Sequence, residues 1–76
     1  MKGDRYEINI IAKDNNYKVE VLKNGWRMVT VEEYNYNNVL NRLYEIYDSR
    51  VNRNVLNDDT RVIEKSIRAF RGYVNC

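Results

Sequence analysis

The 76-residue chain predicts an α+β domain: a three-stranded antiparallel meander followed by two helices packed on one face of the sheet. Three observations carry this expectation. Residues 17–30 place two alternating apolar and polar runs around an Asn24-Gly25 pair. Residues 6–13 alternate in the same way ahead of Asp14-Asn15-Asn16. From Tyr36 onward apolar residues return at three- and four-residue steps, the period of a helix rather than a strand.

The pair Asn24-Gly25 suits a type I′ turn, whose two central residues both need positive φ. A two-residue loop sets Lys23 opposite Trp26, Val21 opposite Met28 and Val19 opposite Thr30. One face then carries Val19, Val21, Trp26 and Met28, and the other Lys18, Glu20, Leu22, Arg27 and Val29. In the first strand Tyr6, Ile8, Ile10 and Ala12 share a side. A turn on Asn15-Asn16 sets Ala12 opposite Val19 and Ile10 opposite Val21, so the apolar faces of both hairpins coincide.

Thr30-Val31-Glu32-Glu33 has the form of a capping box, which predicts a first helix over 31–51. Its apolar stripe is Tyr36, Val39, Leu40, Leu43, Ile46, Tyr47 and Val51. Residues 52–58 form a loop with Val55 and Leu56 turned inward; the alternative is a helix running on to Leu56. Asn57-Asp58-Asp59 offers a second cap, and a helix over 59–71 follows. Val62, Ile63, Ile67, Phe70 and Val74 point inward, with Gly72 as the C-cap. The helices cover the sheet face that bears Ile8, Ile10, Val19, Val21, Trp26 and Met28, giving two layers in a single domain over 1–76.

A hydrophobic share of 43%, a charged share of 32% and a net charge of +2 exclude a disordered chain and argue against a strongly basic nucleic-acid binder. No run of about 18 apolar residues and no charged-then-apolar leader is present, so no membrane partner is expected. Cys76 is the single cysteine, which removes a disulfide framework, fits a reducing cytoplasmic compartment, and reads as a free, frayed thiol. Histidine is absent, and with it the commonest general base and metal ligand. Asparagine occurs twelve times, tyrosine seven times and proline never. In composition alone this resembles small proteins of phages and mobile elements of AT-rich bacteria, which implies a bacterial host cytoplasm as the location.

The chemistry-bearing residues do not assemble into a catalytic pattern. Ser49 and Ser66 fall on helices without a base, and Glu32-Glu33 and Asp58-Asp59 are explained as helix caps. Gly3, Gly25 and Gly72 form no phosphate loop. The expectation is therefore a non-enzymatic protein without a cofactor. Two surfaces are candidates. The outer sheet face interleaves aliphatic and basic residues, and Lys13, Lys18, Leu22, Arg27 and Val29 are its partner-binding set. The outer stripe of the last helix carries Arg61, Lys65, Arg68 and Arg71, a spacing that suits phosphates or an acidic surface. Tyr34, Asn37, Asn41 and Tyr44 form a third, adaptable contact surface.

The function expected from these features is inhibition or modulation of a larger host protein, as by an anti-CRISPR or host-takeover factor. The alternative is a nucleic-acid-binding module using the basic sheet face or the last helix. A three-stranded sheet backed by a helix resembles, in topology only, the DNA-binding domains of some integrases. Glu7 and Glu20 on the same face depart from that pattern. Self-association as a homodimer through an exposed edge strand is a third reading.

Overall fold

The computed structural model describes residues 3–55 and 57–75. Three strands, β1 (Tyr6–Lys13), β2 (Asn16–Lys23) and β3 (Trp26–Glu33), precede two helices, α1 (Tyr36–Asn52) and α2 (Asp58–Asn75). The strands form an antiparallel sheet in the order β1-β2-β3. Both helices pack on one face, α1 over β3 and β2, α2 over β1 and β2. The expected α+β architecture is the one observed.

The first turn falls on Asp14-Asn15 rather than Asn15-Asn16. Both residues take positive φ, 53° and 61°, which a type I′ hairpin requires and which Asp and Asn tolerate. Lys13 therefore pairs with Asn16, Ile10 with Val19 and Ile8 with Val21. The pairing is displaced by two residues from the expected one. Because side chains alternate with period two, this slip leaves every side chain on its expected face.

The second turn is the expected one, with Asn24 at φ 55° and Gly25 at φ 86° and Lys23 opposite Trp26. It is also tied to the segment before β1. The Arg5 amide donates to Asn24 Oδ1 at 2.9 Å, and the Asn24 amide donates to the Arg5 carbonyl at 2.7 Å.

Beyond Arg27 the register departs from a regular ladder. Leu22 faces Arg27, but Val21 faces Val29 and Val19 faces Val31. Met28 is the extra residue of a β-bulge, and each later side chain changes face. Val29 (8% exposed) and Val31 thus enter the core. A regular ladder would have turned Met28 and Thr30 inward and left both valines in water. Burying two valines where the regular ladder would bury Met28 gains about 1.5–3 kcal/mol net. The interrupted ladder forfeits one or two hydrogen bonds, worth about 1–3 kcal/mol. The balance tips to the bulge because Met28 still packs part-buried against the core and keeps part of its own burial as well. The bulge corrects one expectation, and the place of Trp26 beside the turn, ahead of the bulge, corrects another. Val29 is a core residue and not part of the outer face. Trp26 is 79% exposed at the end of the sheet and not a core residue.

β3 also runs on through the sequence that resembled a capping box. Val31 is buried, and Glu32 and Glu33 pair with Lys18 and Tyr17. The helix cap is Asn35 instead, whose Oδ1 accepts from the amides of Asn37 (2.8 Å) and Asn38 (3.4 Å). α1 keeps the expected stripe, with Val39 and Leu43 buried and Tyr36, Leu40, Ile46 and Tyr47 packed beside them. It ends at Asn52 and does not run to Leu56. Asn54 at φ 60° turns the chain away.

Asn57 caps α2 as expected, accepting from the Thr60 amide at 3.2 Å. The helix then passes through Gly72 to Asn75, so the expected C-cap at Gly72 does not form. A glycine weakens a helix by about 1 kcal/mol but ends it only where the chain adopts a left-handed conformation. The expectations for Leu56, for the Val74 side chain and for Cys76 lie outside the described residues.

The core joins Val19, Val21, Val29 and Val31 of the sheet to Val39 and Leu43 of α1 and to Val62, Ile63, Ile67 and Phe70 of α2. Phe70 is its keystone. Its ring meets Tyr17 edge-on at 6.1 Å and stacks on Tyr36 at 5.3 Å, touching strand and helix together.

Candidate functional site

On the outer sheet face the register sets Glu7, Leu22 and Arg27 in one row, Asn9, Glu20 and Thr30 in the next, and Ile11, Lys18 and Glu32 in a third. Lys13 follows opposite Asn16. Of the expected partner-binding set, Lys13, Lys18, Leu22 and Arg27 share this face and Val29 does not. The aliphatics Ile11 and Leu22 are separated by the polar row, so no continuous apolar patch forms. Glu20 lies 3.8 Å from both Lys18 Nζ and Arg27 Nη1. Three acidic residues (Glu7, Glu20, Glu32) balance three basic ones (Lys13, Lys18, Arg27), leaving no net positive field for phosphates.

A polar cluster lies where α2 begins. The Tyr6 hydroxyl donates to Asp59 Oδ1 at 2.6 Å, and Lys23 Nζ sits 3.1 Å from the same oxygen and 3.7 Å from Asp4. Donation to Asp59, followed by burial, pushes the Tyr6 hydroxyl up to about 12. The hydrogen bond from Tyr6, helped by Lys23, holds the Asp59 carboxyl below its ordinary range, and the bond to Asp59 raises Lys23. These contacts join Tyr6 of β1 and Lys23 of β2 to the first turn of α2, so the cluster ties the sheet to the helix.

No three acidic or cysteine side chains converge as a metal site among the described residues. The Ser66 hydroxyl is buried and donates to the Ile63 carbonyl at 2.6 Å.

The third surface is the groove between α1 and α2 on the side away from the sheet. The two helices run antiparallel, so the flank of α1 that carries Tyr44 and Tyr47 faces the flank of α2 that carries Arg61, Arg68 and Arg71. Tyr47 of α1 meets Asn57, Thr60, Arg61 and Glu64 around a depression of about 230 Å³. Further along, Tyr44 and Tyr47 meet Glu64, Ile67, Arg68 and Arg71 around one of about 220 Å³. The Arg71 guanidinium donates to the Tyr44 hydroxyl at 3.4 Å. Arg61 pairs with Asp58 at 3.9 Å and Arg68 with Glu64 at 3.2 Å, while Lys65 borders the outer rim.

This groove brings together the basic stripe expected from sequence and Tyr44 from the expected aromatic surface. Asn37 and Asn41 stay exposed on α1, and Tyr34 (83% exposed) stands apart in the turn after β3. Sequence reasoning missed Tyr47 and Glu64 as lining residues. Their spacing placed Tyr47 on the core stripe, and only the packing of one helix against the other shows that its ring also borders the groove. The Tyr6–Asp59 bond, across 53 positions, has no local signal. Among the described residues no helix is long and apolar enough to cross a membrane. Compared with known protein families, with curated proteins and with solved structures, the chain finds no match.

Proposed function

We propose that this chain is a non-enzymatic binding protein that docks on a larger protein and modulates it. The observation that carries this reading is the interhelical groove, in which Tyr44 and Tyr47 face Arg61, Arg68 and Arg71. Tyrosine and arginine are the side chains enriched at the energetic centres of protein interfaces, because each supplies area and directional hydrogen bonds together. The Asn- and Tyr-rich, proline-free composition supports a phage or mobile-element origin, and hence inhibition of a bacterial host protein in the manner of an anti-CRISPR or host-takeover factor. Affinity capture from a bacterial lysate, with the partner identified by mass, tests the reading. One stoichiometric protein should be retained by the wild type and by Leu22→Glu on the sheet, and lost with Tyr44→Ala plus Arg68→Glu. Capture that survives the groove variant and fails with Leu22→Glu would move the site to the sheet face.

A second reading, nucleic-acid binding, is favoured by one observation: Arg61, Lys65, Arg68 and Arg71 are all exposed along α2. Fluorescence anisotropy with labelled single- and double-stranded oligonucleotides at about 50 and 200 mM salt separates the two. Tight binding that falls steeply with salt would overturn the protein-docking reading. No binding at the lower salt would remove the nucleic-acid one.

A further inference from the structure

We propose that the groove between α1 and α2 takes an acidic, amphipathic segment of the partner protein, its carboxylates on Lys65, Arg68 and Arg71 and an apolar side chain beside Tyr44. This rests on the protein-docking reading and names the partner chemistry it implies.

Charge is the first argument. The outer flank of α2 carries Arg61, Lys65, Arg68 and Arg71 against Asp58 and Glu64. Both acids are already engaged, by Arg61 and by Arg68. Among the described residues Lys65 and Arg71 have no carboxylate within ion-pair distance, and Arg71 donates to a tyrosine hydroxyl instead. The rim therefore offers positive charge that this chain leaves uncompensated, and an acidic surface complements it.

Shape is the second. Depressions of about 220–230 Å³ are smaller than the roughly 300–1,000 Å³ of pockets that enclose small molecules. They follow one another along α2 from Asn57 to Arg71, which rises about 21 Å at 1.5 Å per residue. Two shallow depressions in line, sharing Tyr47 and Glu64 and carrying Tyr44, Tyr47 and Ile67 as their apolar lining, suit a helix laid lengthwise, with its apolar side down.

Orientation follows from the two walls. The α1 wall contributes Tyr44 and Tyr47 and no charge to the depressions, whereas the α2 wall contributes Arg61, Arg68 and Arg71, so the acidic side of the segment faces α2 and its neutral side faces α1.

The test uses the whole chain, isotopically labelled and observed by amide NMR shifts. The probes are a short synthetic amphipathic peptide of Glu and Leu, the same peptide with Lys for Glu, and a short DNA duplex. The Glu/Leu peptide should shift the amides of Tyr44, Tyr47 and residues 57–71, and the Lys version should not. Lys65→Glu with Arg71→Glu should weaken the Glu/Leu peptide about tenfold, the combined effect of two exposed charge pairs. Shifts that map elsewhere, equal binding of the Lys peptide, or the same shifts from DNA alone would overturn the proposal. So would groove shifts that appear on concentrating the protein by itself, which would assign the groove to a second copy. If lysate capture depends on Tyr44 and Arg68 while the Glu/Leu peptide neither binds nor competes, docking at the groove stands and the acidic assignment falls.

Discussion

Tyr6 and Asp59 lie 53 positions apart, and their bond makes a pH-dependent contribution to stability. Asp59 titrates below its ordinary range when folded, so its stabilisation is present above that range and lost as pH falls through the folded value. Tyr6 behaves in the opposite sense. Its value rises from 10.0 to about 12, so its contribution is complete below pH 10 and lost as pH climbs toward 12. Thermal midpoints of Tyr6→Phe across this range should lie below wild type near neutrality and converge with it at both extremes. No offset at any pH would mean that the ring and not the hydroxyl matters, and the same offset at every pH would mean that the hydroxyl acts without regard to the ionisation of this pair. Val29 provides a second test at this scale. Val29→Glu buries a carboxylate without a partner and should abolish cooperative unfolding. Leu22→Glu, placed beside Arg27 on the outer face, should stay within about ±0.5 kcal/mol of wild type. Chemical denaturation of the two variants checks the direction in which β3 turns its valines.

The elements differ in how plainly the chain announces them. Both turns are legible because Asp, Asn and Gly tolerate positive φ, and Gly25→Val should lower the thermal midpoint clearly for the same reason. The two helical stripes are legible because their period is sustained. The bulge is not, since no glycine or proline marks Met28 and the valine spacing on either side is locally regular. The false cap at Thr30–Glu33 shows a local signal losing to a distant one. A cap is worth about 1 kcal/mol, whereas burying Val31 stabilises by about 1.5–3 kcal/mol, so the segment stays in the sheet. Asn35, the true cap, should cost about 0.5–2 kcal/mol when replaced by Ala. A deletion series tests the bulge directly. Removing Met28 joins Arg27 to Val29, restores an unbroken ladder and keeps both valines inward, so the variant should still fold cooperatively. Removing Thr30 instead sends Val29 and Val31 to opposite faces and should unfold the protein.

Across the whole molecule, the basic stripe Arg61, Lys65, Arg68 and Arg71 was legible from spacing, whereas the groove it borders was not. That groove depends on how α1 and α2 lie against each other, which is settled by Phe70 seated between Tyr17 and Tyr36. Phe70→Ala should cost about 3–5 kcal/mol, and should also erase the amide shifts expected at the groove under conditions where the variant remains folded. The order of the elements carries one more consequence. Every element packs on a neighbour in sequence and α1 also reaches back to β2, while α2 alone reaches back to β1. Closing so long a segment has an entropic cost that adjacent hairpins escape. During synthesis the β1 side of the valine-lined face, which α1 does not cover, therefore stays open to water until Asp58–Asn75 clears the ribosome. Nascent chains arrested before α2 emerges should bind a hydrophobic dye and recruit chaperones, and chains released after it should do neither.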